Sequence, residues 1–233
     1  MDFHTPLIRA TLLRRYKRFL ADVVLEDGRE VTTHVANPGS MLGMKDAGMA
    51  VWLEPNDDPK RKLNFSWKLA EVGDAMIVVD TAMANKVVGE ALRAHAIAPL
   101  AAYSDVRAEV KYGENSRIDF LLQGDGIPDC YVEVKSVTLS RQAGLAEFPD
   151  SVTKRGAKHL RELSAMVADG HRAVMLYLVQ RDDCTRFALA ADIDAEYAAE
   201  MSAARKIGVE ALCFATKPTR TDVNLVEELP IYI

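Results

Sequence analysis

The run Arg117-Ile-Asp-Phe-Leu-Leu122, a Gly124-Asp125-Gly126 turn, and the run Tyr131-Val-Glu-Val-Lys135 constrain this chain more than any other stretch. Both runs are rich in β-branched and aromatic residues and glycines stand between them, so the segment reads as a β-hairpin. Side chains alternate faces with period two, which turns Glu133 and Lys135 one way and Val132 and Val134 into the core. A hairpin folded about Gly126 sets Asp119 directly opposite Glu133, with Cβ atoms about 5 Å apart. Carboxylates that close raise each other's pKa unless a cation sits between them. Oxygen donors at that separation suit Mg²⁺ or Mn²⁺, and Lys135 is placed to orient a water or steady negative charge. The pattern is that of metal-dependent phosphodiester chemistry. Ion-paired edge residues give the same D…ExK spacing, so the rest of the chain has to decide between them.

A length of 233 residues fits one large or two modest domains, and 49% hydrophobic with 27% charged residues is the balance of a globular protein. No apolar run approaches the roughly 18 residues of a membrane span, and Met1-Asp2-Phe3-His4-Thr5-Pro6 lacks the pattern of a signal peptide. Cys130, Cys184 and Cys213 are odd in number and far apart, which reads as free thiols in a reducing compartment and a cytoplasmic location. The net charge of −5 excludes a non-specific polycation, so any nucleic-acid contact needs local patches. Two stand out. Arg14, Arg15, Lys17 and Arg18 follow Arg9 and interleave with Tyr16 and Phe19, and Lys60-Arg61-Lys62 forms a second cluster.

Residues 1–80 read as a first domain of about five short strands (19–25, 30–34, 50–53, 63–69 and 76–79) separated by Gly, Pro, Asn and Asp turns. That number in so short a span suggests a small OB-like β-barrel. Residues 81–233 read as a second domain. A helix is predicted at 83–96, a strand at 106–111, the hairpin, a helix at 153–168 and a strand at 173–180, then a helix at 194–206 and a strand at 209–215. Residues 139–152 read as a long connection of the kind that carries function. A helix-turn-helix around 195–215 is weakened by the strand-like Val209–Phe214.

Glu90, at the edge of the first helix's apolar stripe, is the candidate third carboxylate. On the helix at 153–168, Ala157, Leu160, Leu163 and Val167 form the core stripe. Arg155, Lys158 and His159 gather on the other side near the helix start, where the dipole favours phosphate. Lone histidines such as His34 and His171 read as structural, and no GxGxxG, P-loop or GxSxG supports nucleotide-binding or serine-hydrolase chemistry.

The α-β-β-β-α-β order with D…(E)xK on the hairpin resembles the core of the PD-(D/E)xK nuclease superfamily. Nearly end to end, the chain resembles the sugar fermentation stimulation protein family. The resemblance is carried by Arg15-Tyr-Lys-Arg-Phe-Leu-Ala-Asp22, His34 with Asn37-Pro-Gly-Ser-Met41, and Lys60-Arg-Lys62. It continues through Ser116–Leu121, Glu133–Leu139, Phe148-Pro-Asp150, Arg155–Leu163 and Gln180-Arg181; Val35 and Pro38 depart from the family's usual cysteine and threonine. The resemblance implies an OB-like domain joined to a nuclease-like domain, with DNA as partner. Whether that DNA is single-stranded, structured or duplex is left open by the residues. It places the superfamily's acids on Glu90, Asp119 and Glu133, with Lys135 as the motif lysine. Two functions compete. In one, Asp119, Glu133 and the Val134 carbonyl hold Mg²⁺ or Mn²⁺, Glu90 is an outer or third ligand, and Lys135 positions the attacking water. In the other, the fold is a non-catalytic DNA-binding platform that regulates sugar (maltose) metabolism. A homodimer fits the first, since nuclease-like folds often pair to cut two strands.

Overall fold

Alternate residues of Leu20–Leu25 (β2) turn inward as Ala21, Val23 and Leu25, in the manner expected of a half-buried strand. The computed structural model describes residues 1–113 and 116–232; the turn expected at Gly113-Glu114-Asn115 falls partly outside these. β2 pairs with Ile8–Tyr16 (β1) and Glu30–His34 (β3), and Ala50–Pro55 (β4), Phe65–Val72 (β5) and Ala75–Val78 (β6) extend the sheet in the order β3-β2-β1-β4-β5-β6. A bridge from His34 to Ser66 joins β3 to β5 and closes the OB barrel, leaving β6 on its flank. The barrel strand absent from the sequence reading is β1. It carries Arg9, Arg14 and Arg15 of the basic segment, only Ala10 and Leu12 are buried, and an irregularity between Leu12 and Arg14 breaks the alternation.

Asp80 then starts the next helix, Ala82–Arg93 (α1). Its Oδ1 accepts from the Ala82 amide at 3.0 Å and its Oδ2 from Lys68 Nζ at 2.7 Å. A second sheet has the order β15-β14-β12-β9-β8-β7, built from Asp105–Tyr112 (β7), Ser116–Gln123 (β8), Cys130–Val137 (β9), Arg172–Val179 (β12), Glu210–Pro218 (β14) and Val223–Glu228 (β15). β12 runs parallel to both β9 and β14. Helix α1 covers one face of this sheet, with Val174, Leu176 and Leu178 packed beneath it. The helices Lys154–Ala168 (α2) and Ala195–Ile207 (α3) cover the other, over Ala173, Met175, Tyr177 and Val179. Burial on both faces explains why β12 reads as a continuous apolar run, each large side chain contributing about 1.5–3 kcal/mol.

The long connection expected at 139–152 is a correction: it carries two strands, Leu139–Gln142 (β10) and Gly144–Phe148 (β11). With Cys184–Leu189 (β13) and Ile231–Tyr232 (β16) they form a small sheet in the order β10-β11-β13-β16. The polar Ser140-Arg141-Gln142 and the left-handed Gly144 (φ 76°) hide the pairing from a periodicity reading. α3 ends at Gly208 (φ 121°) and runs into β14, so no helix-turn-helix forms.

Trp52, Leu69 and Val78 of the barrel share one apolar cluster with α1 and β12. The Val78 amide donates to Gln180 O at 2.9 Å and the Thr81 amide to Ala36 O at 3.0 Å. Barrel and core are thus fused through packing and main-chain bonds. Among the described residues no helix is long and apolar enough to cross a membrane.

Candidate active site

The β8–β9 ladder pairs Leu122 with Cys130, Leu121 with Tyr131 and Phe120 with Val132, the register of a hairpin folded about Gly126. One step beyond the last pair, Asp119 reaches across: its Oδ2 accepts from the Val134 amide and its Oδ1 from Asn85 Nδ2, both at 2.7 Å. Glu133, only 3% exposed, faces α2. Its Oε1 accepts from Lys135 Nζ at 2.6 Å and from His159 Nδ1, while its Oε2 is buried with no partner among the described residues. The two acids are driven apart. Burial, then the charge of Glu133, pushes Asp119 up to about 6. Burial works to raise Glu133 as well, but Lys135 and His159 together outweigh it and hold that carboxylate below its ordinary range.

Arg155 fixes the state of the imidazole. Its Nε donates to His159 Nε2 at 3.2 Å, so Nε2 is an acceptor and the ring proton sits on Nδ1, aimed at Glu133. Lys135 Nζ and His159 Nδ1 lie 3.4 Å apart because both serve the same oxygen. His159 is therefore not on the exposed face with Lys158 as expected; it is 4% exposed. The signal was present in the sequence: His159 lies three residues after Gly156 and four before Leu163, on the buried stripe. Asn85 left no comparable mark.

These groups floor a cavity of about 500 Å³ whose walls come from both halves of the chain. Arg18 and the Asn37–Gly39 loop form the barrel side, and residues 148–153 with Arg155 the other. The walls are latched. Asp150 Oδ2 accepts from the Met41 amide at 2.9 Å and Ser40 Oγ at 3.2 Å, and Ser40 Oγ also donates to Asp150 O at 2.7 Å. A Cβ on Gly39 would meet the Asp150 carboxylate at 2.6 Å, so only glycine lets the loop lie this close. Inside the loop, Asn37 Oδ1 accepts from the Gly39 amide at 2.9 Å and Asn37 Nδ2 donates to Val79 O at 3.0 Å.

The remaining expected residues scatter. Glu90 is a correction: its carboxylate is 56% exposed, pairs with the Met1 amino group at 2.8 Å and does not line the cavity. Five residues turn a helix about 140° past a whole revolution, so α1 cannot aim both Asn85 and Glu90 at one site. Arg15 is a second correction: its Nη2 donates to Arg18 O, Asn37 O and Gly39 O, binding the loops together and not facing solvent. Arg14 is exposed and ion-paired with Asp22 at 2.9 Å. Lys17 and Arg18 are exposed at the β1–β2 turn, and Lys60, Arg61 and Lys62 in the β4–β5 connection. Lys158 lies on the outer face of α2, 3.4 Å from Glu162.

Comparison with known proteins places this architecture. The SfsA N-terminal OB domain matches residues 13–79 and the sugar fermentation stimulation protein RE domain matches residues 82–222. The sugar fermentation stimulation protein homolog of Ruegeria sp. (strain TM1040) is 64% identical over 231 residues, covering 99% of this chain and 100% of that one. The homolog of Dinoroseobacter shibae is 61% identical, covering 99% of this chain and 96% of that one. The structure of Pyrococcus furiosus SfsA in complex with Ca²⁺ superposes with a TM-score of 0.90 at 23% identity, over 100% of this chain and 98% of that one, a shared fold. With both domain models matched in order and relatives aligned over almost the full length, the chain belongs to the sugar fermentation stimulation protein family.

Proposed function

We propose that this protein is a divalent-cation-dependent phosphodiesterase acting on nucleic acid. One observation carries the reading: Glu133 Oε2 is buried, unpartnered, and belongs to a residue lining the cavity that Asp119 and Lys135 also line. An ionised oxygen left bare in that position is costly unless a cation meets it. The donor set is all oxygen, which fits Mg²⁺ or Mn²⁺; Asp119, Glu133 and the Val134 carbonyl would hold the ion. The Pyrococcus furiosus relative is described with Ca²⁺, another hard cation that takes oxygen donors. When bound, the ion would polarise the phosphate and lower the pKa of a water.

This chain's own residues do the rest. His159 and Arg155 hold Glu133 in one orientation and keep its Oε1 occupied. Lys135 Nζ, anchored on Glu133, directs its remaining N–H bonds to an attacking water or a phosphate oxygen. Arg155 and Arg18, on the cavity walls, bind flanking phosphates as point charges, and their strength falls with added salt.

The exposed cations Lys17, Arg18, Lys60, Arg61 and Lys62 of the barrel also suit a second reading, a DNA-binding regulator of sugar metabolism without catalysis. Cleavage separates the two. Purified protein is incubated with single- and double-stranded DNA and RNA, with Mg²⁺, Mn²⁺ or EDTA. The phosphodiesterase reading expects metal-dependent cleavage that drops about 100-fold or more in Lys135→Ala and Asp119→Ala. Wild-type protein that does not cut leaves the binding reading standing, and cutting that survives both substitutions refutes the assignment of the chemistry to Asp119 and Lys135.

A further inference from the structure

The barrel carries a group that the floor of the site does not use. Phe19 is 41% exposed, and its ring stacks on His34 with centroids 6.5 Å apart and planes 22° from parallel. The Arg18 guanidinium lies 5.9 Å from the Phe19 centroid. Two openings adjoin this stack. Arg18 lines the cavity above Asp119 and Glu133, and His34 lines a second pocket of about 390 Å³ with Arg61 and Lys62. The order along the surface is cations, aromatic stack, cation, acidic floor. The Phe19 carbonyl accepts from the Val35 amide at 2.9 Å, so the stack rides on paired barrel strands.

The backbone beneath it is strained. Lys17 and Arg18 both sit in the left-handed region, at φ 46° and 62°. L side chains rarely adopt this conformation, and hairpin turns that need it twice in succession favour asparagine, aspartate or glycine, none of which stands here. Glycine would relieve the turn, yet two cations occupy it, at the point where the barrel overhangs the cavity.

We propose that this strip is the entry track for a single nucleic-acid strand, and that the substrate of the site is single-stranded. This rests on the phosphodiesterase reading for the fate of the strand, and on the barrel alone for its capture. An exposed aromatic face flanked by cations recognises an unpaired base over a polyanionic backbone. A duplex hides its base faces in the stack and offers Phe19 nothing to hold. The strand lies with one base on Phe19 and its backbone along Arg61, Lys62, Lys17 and Arg18, which leads the next phosphates over Lys135.

The test is fluorescence anisotropy in EDTA, where no cleavage occurs, with labelled dT₁₂, rU₁₂ and a 12-base-pair duplex. Wild-type protein is expected to bind at least one single strand about tenfold or more tighter than the duplex, and dT₁₂ against rU₁₂ tells DNA from RNA. Phe19→Ala should weaken single-strand binding about tenfold or more and leave the duplex unchanged. Phe19→Trp should retain affinity and show emission quenching with the single strand. The double variant Lys17→Gly/Arg18→Gly should be at least as stable to urea as wild type and bind single strands more weakly, which a purely structural turn would not do. Equal affinity for strand and duplex, or binding untouched by Phe19→Ala, overturns the track. Binding with these signatures but no cleavage in Mg²⁺ or Mn²⁺ would remove the phosphodiesterase reading and keep the track.

Discussion

Gly39→Ala is the sharpest probe of how the two halves of the chain share one site. No positive φ requires glycine at this position, so alanine is acceptable to the backbone. The obstacle is space. The new Cβ would lie 2.6 Å from Asp150 Oδ2, 2.8 Å from Oδ1 and 3.0 Å from Cγ. Asp150 must therefore swing away and release the Met41 amide at 2.9 Å and Ser40 Oγ at 3.2 Å. A hydrogen bond to a charged group contributes about 1.5–3 kcal/mol, and Ser40 keeps its 2.7 Å bond to the Asp150 carbonyl. The expected loss is about 2–3 kcal/mol.

Asp150→Ala should lose a similar amount. With the carboxylate gone, Gly39→Ala should be neutral or stabilise by up to about 1 kcal/mol, because alanine restricts the unfolded chain. The coupling energy of the cycle is then about 2 kcal/mol or more, measured by urea unfolding of the four proteins followed by circular dichroism. Additivity within about 0.5 kcal/mol would show that Gly39 and Asp150 do not meet, and the latch between barrel and core would fall with it.

Two further outcomes follow from the site. Asp119 is raised from 3.8 to about 6, so between those values the folded chain binds a proton more tightly than the unfolded chain. Its contribution favours folding below about pH 4 and is lost as pH rises to about 6, roughly 3 kcal/mol in all. The stability difference between wild type and Asp119→Ala, followed by urea unfolding from pH 3.5 to 7.5, should move by that amount; a flat difference refutes the burial argument. Glu90→Gln should leave metal-dependent cleavage and its metal requirement unchanged, since that carboxylate faces the Met1 amino group; a large loss would return Glu90 to the site.

The hairpin was legible because its information is local. Period-two alternation and a glycine turn fix which residues of Arg117–Lys135 oppose each other, and the observed ladder has the register they imply. The OB barrel was legible as a count of short strands, although β1 was hidden under its own arginines. Helix faces were legible only in part. Glu90 stands at the edge of its apolar stripe and the family resemblance counts it among the acids, yet α1 turns it outward to the Met1 amino group; His159 shares the buried stripe of Gly156 and Leu163, but its partner Glu133 is 26 residues away and no helical pattern names it. The Asn37–Met41 and Phe148–Asp150 motifs carried the family resemblance without any visible physical role. Their role is long-range, a contact between residues 110 apart in sequence that no local pattern encodes.

The accounting of acids around the cavity shows what such a contact does for function. Asp150 is taken up by a backbone amide and a hydroxyl. Glu147 is held in a fork by Arg141, with contacts of 2.6 and 3.0 Å, and Asp119 by Asn85 and the Val134 amide. Glu133 Oε1 serves Lys135 and His159. With those oxygens satisfied, Glu133 Oε2 is left over at the floor, while Arg18 and Arg155 stand on the walls. A polyanion approaching this cavity is attracted by the walls and repelled by the floor until a cation neutralises that oxygen. Attraction outside and repulsion inside would make strand capture and cation loading separable events, the first carried by the barrel's turn and the second by the hairpin.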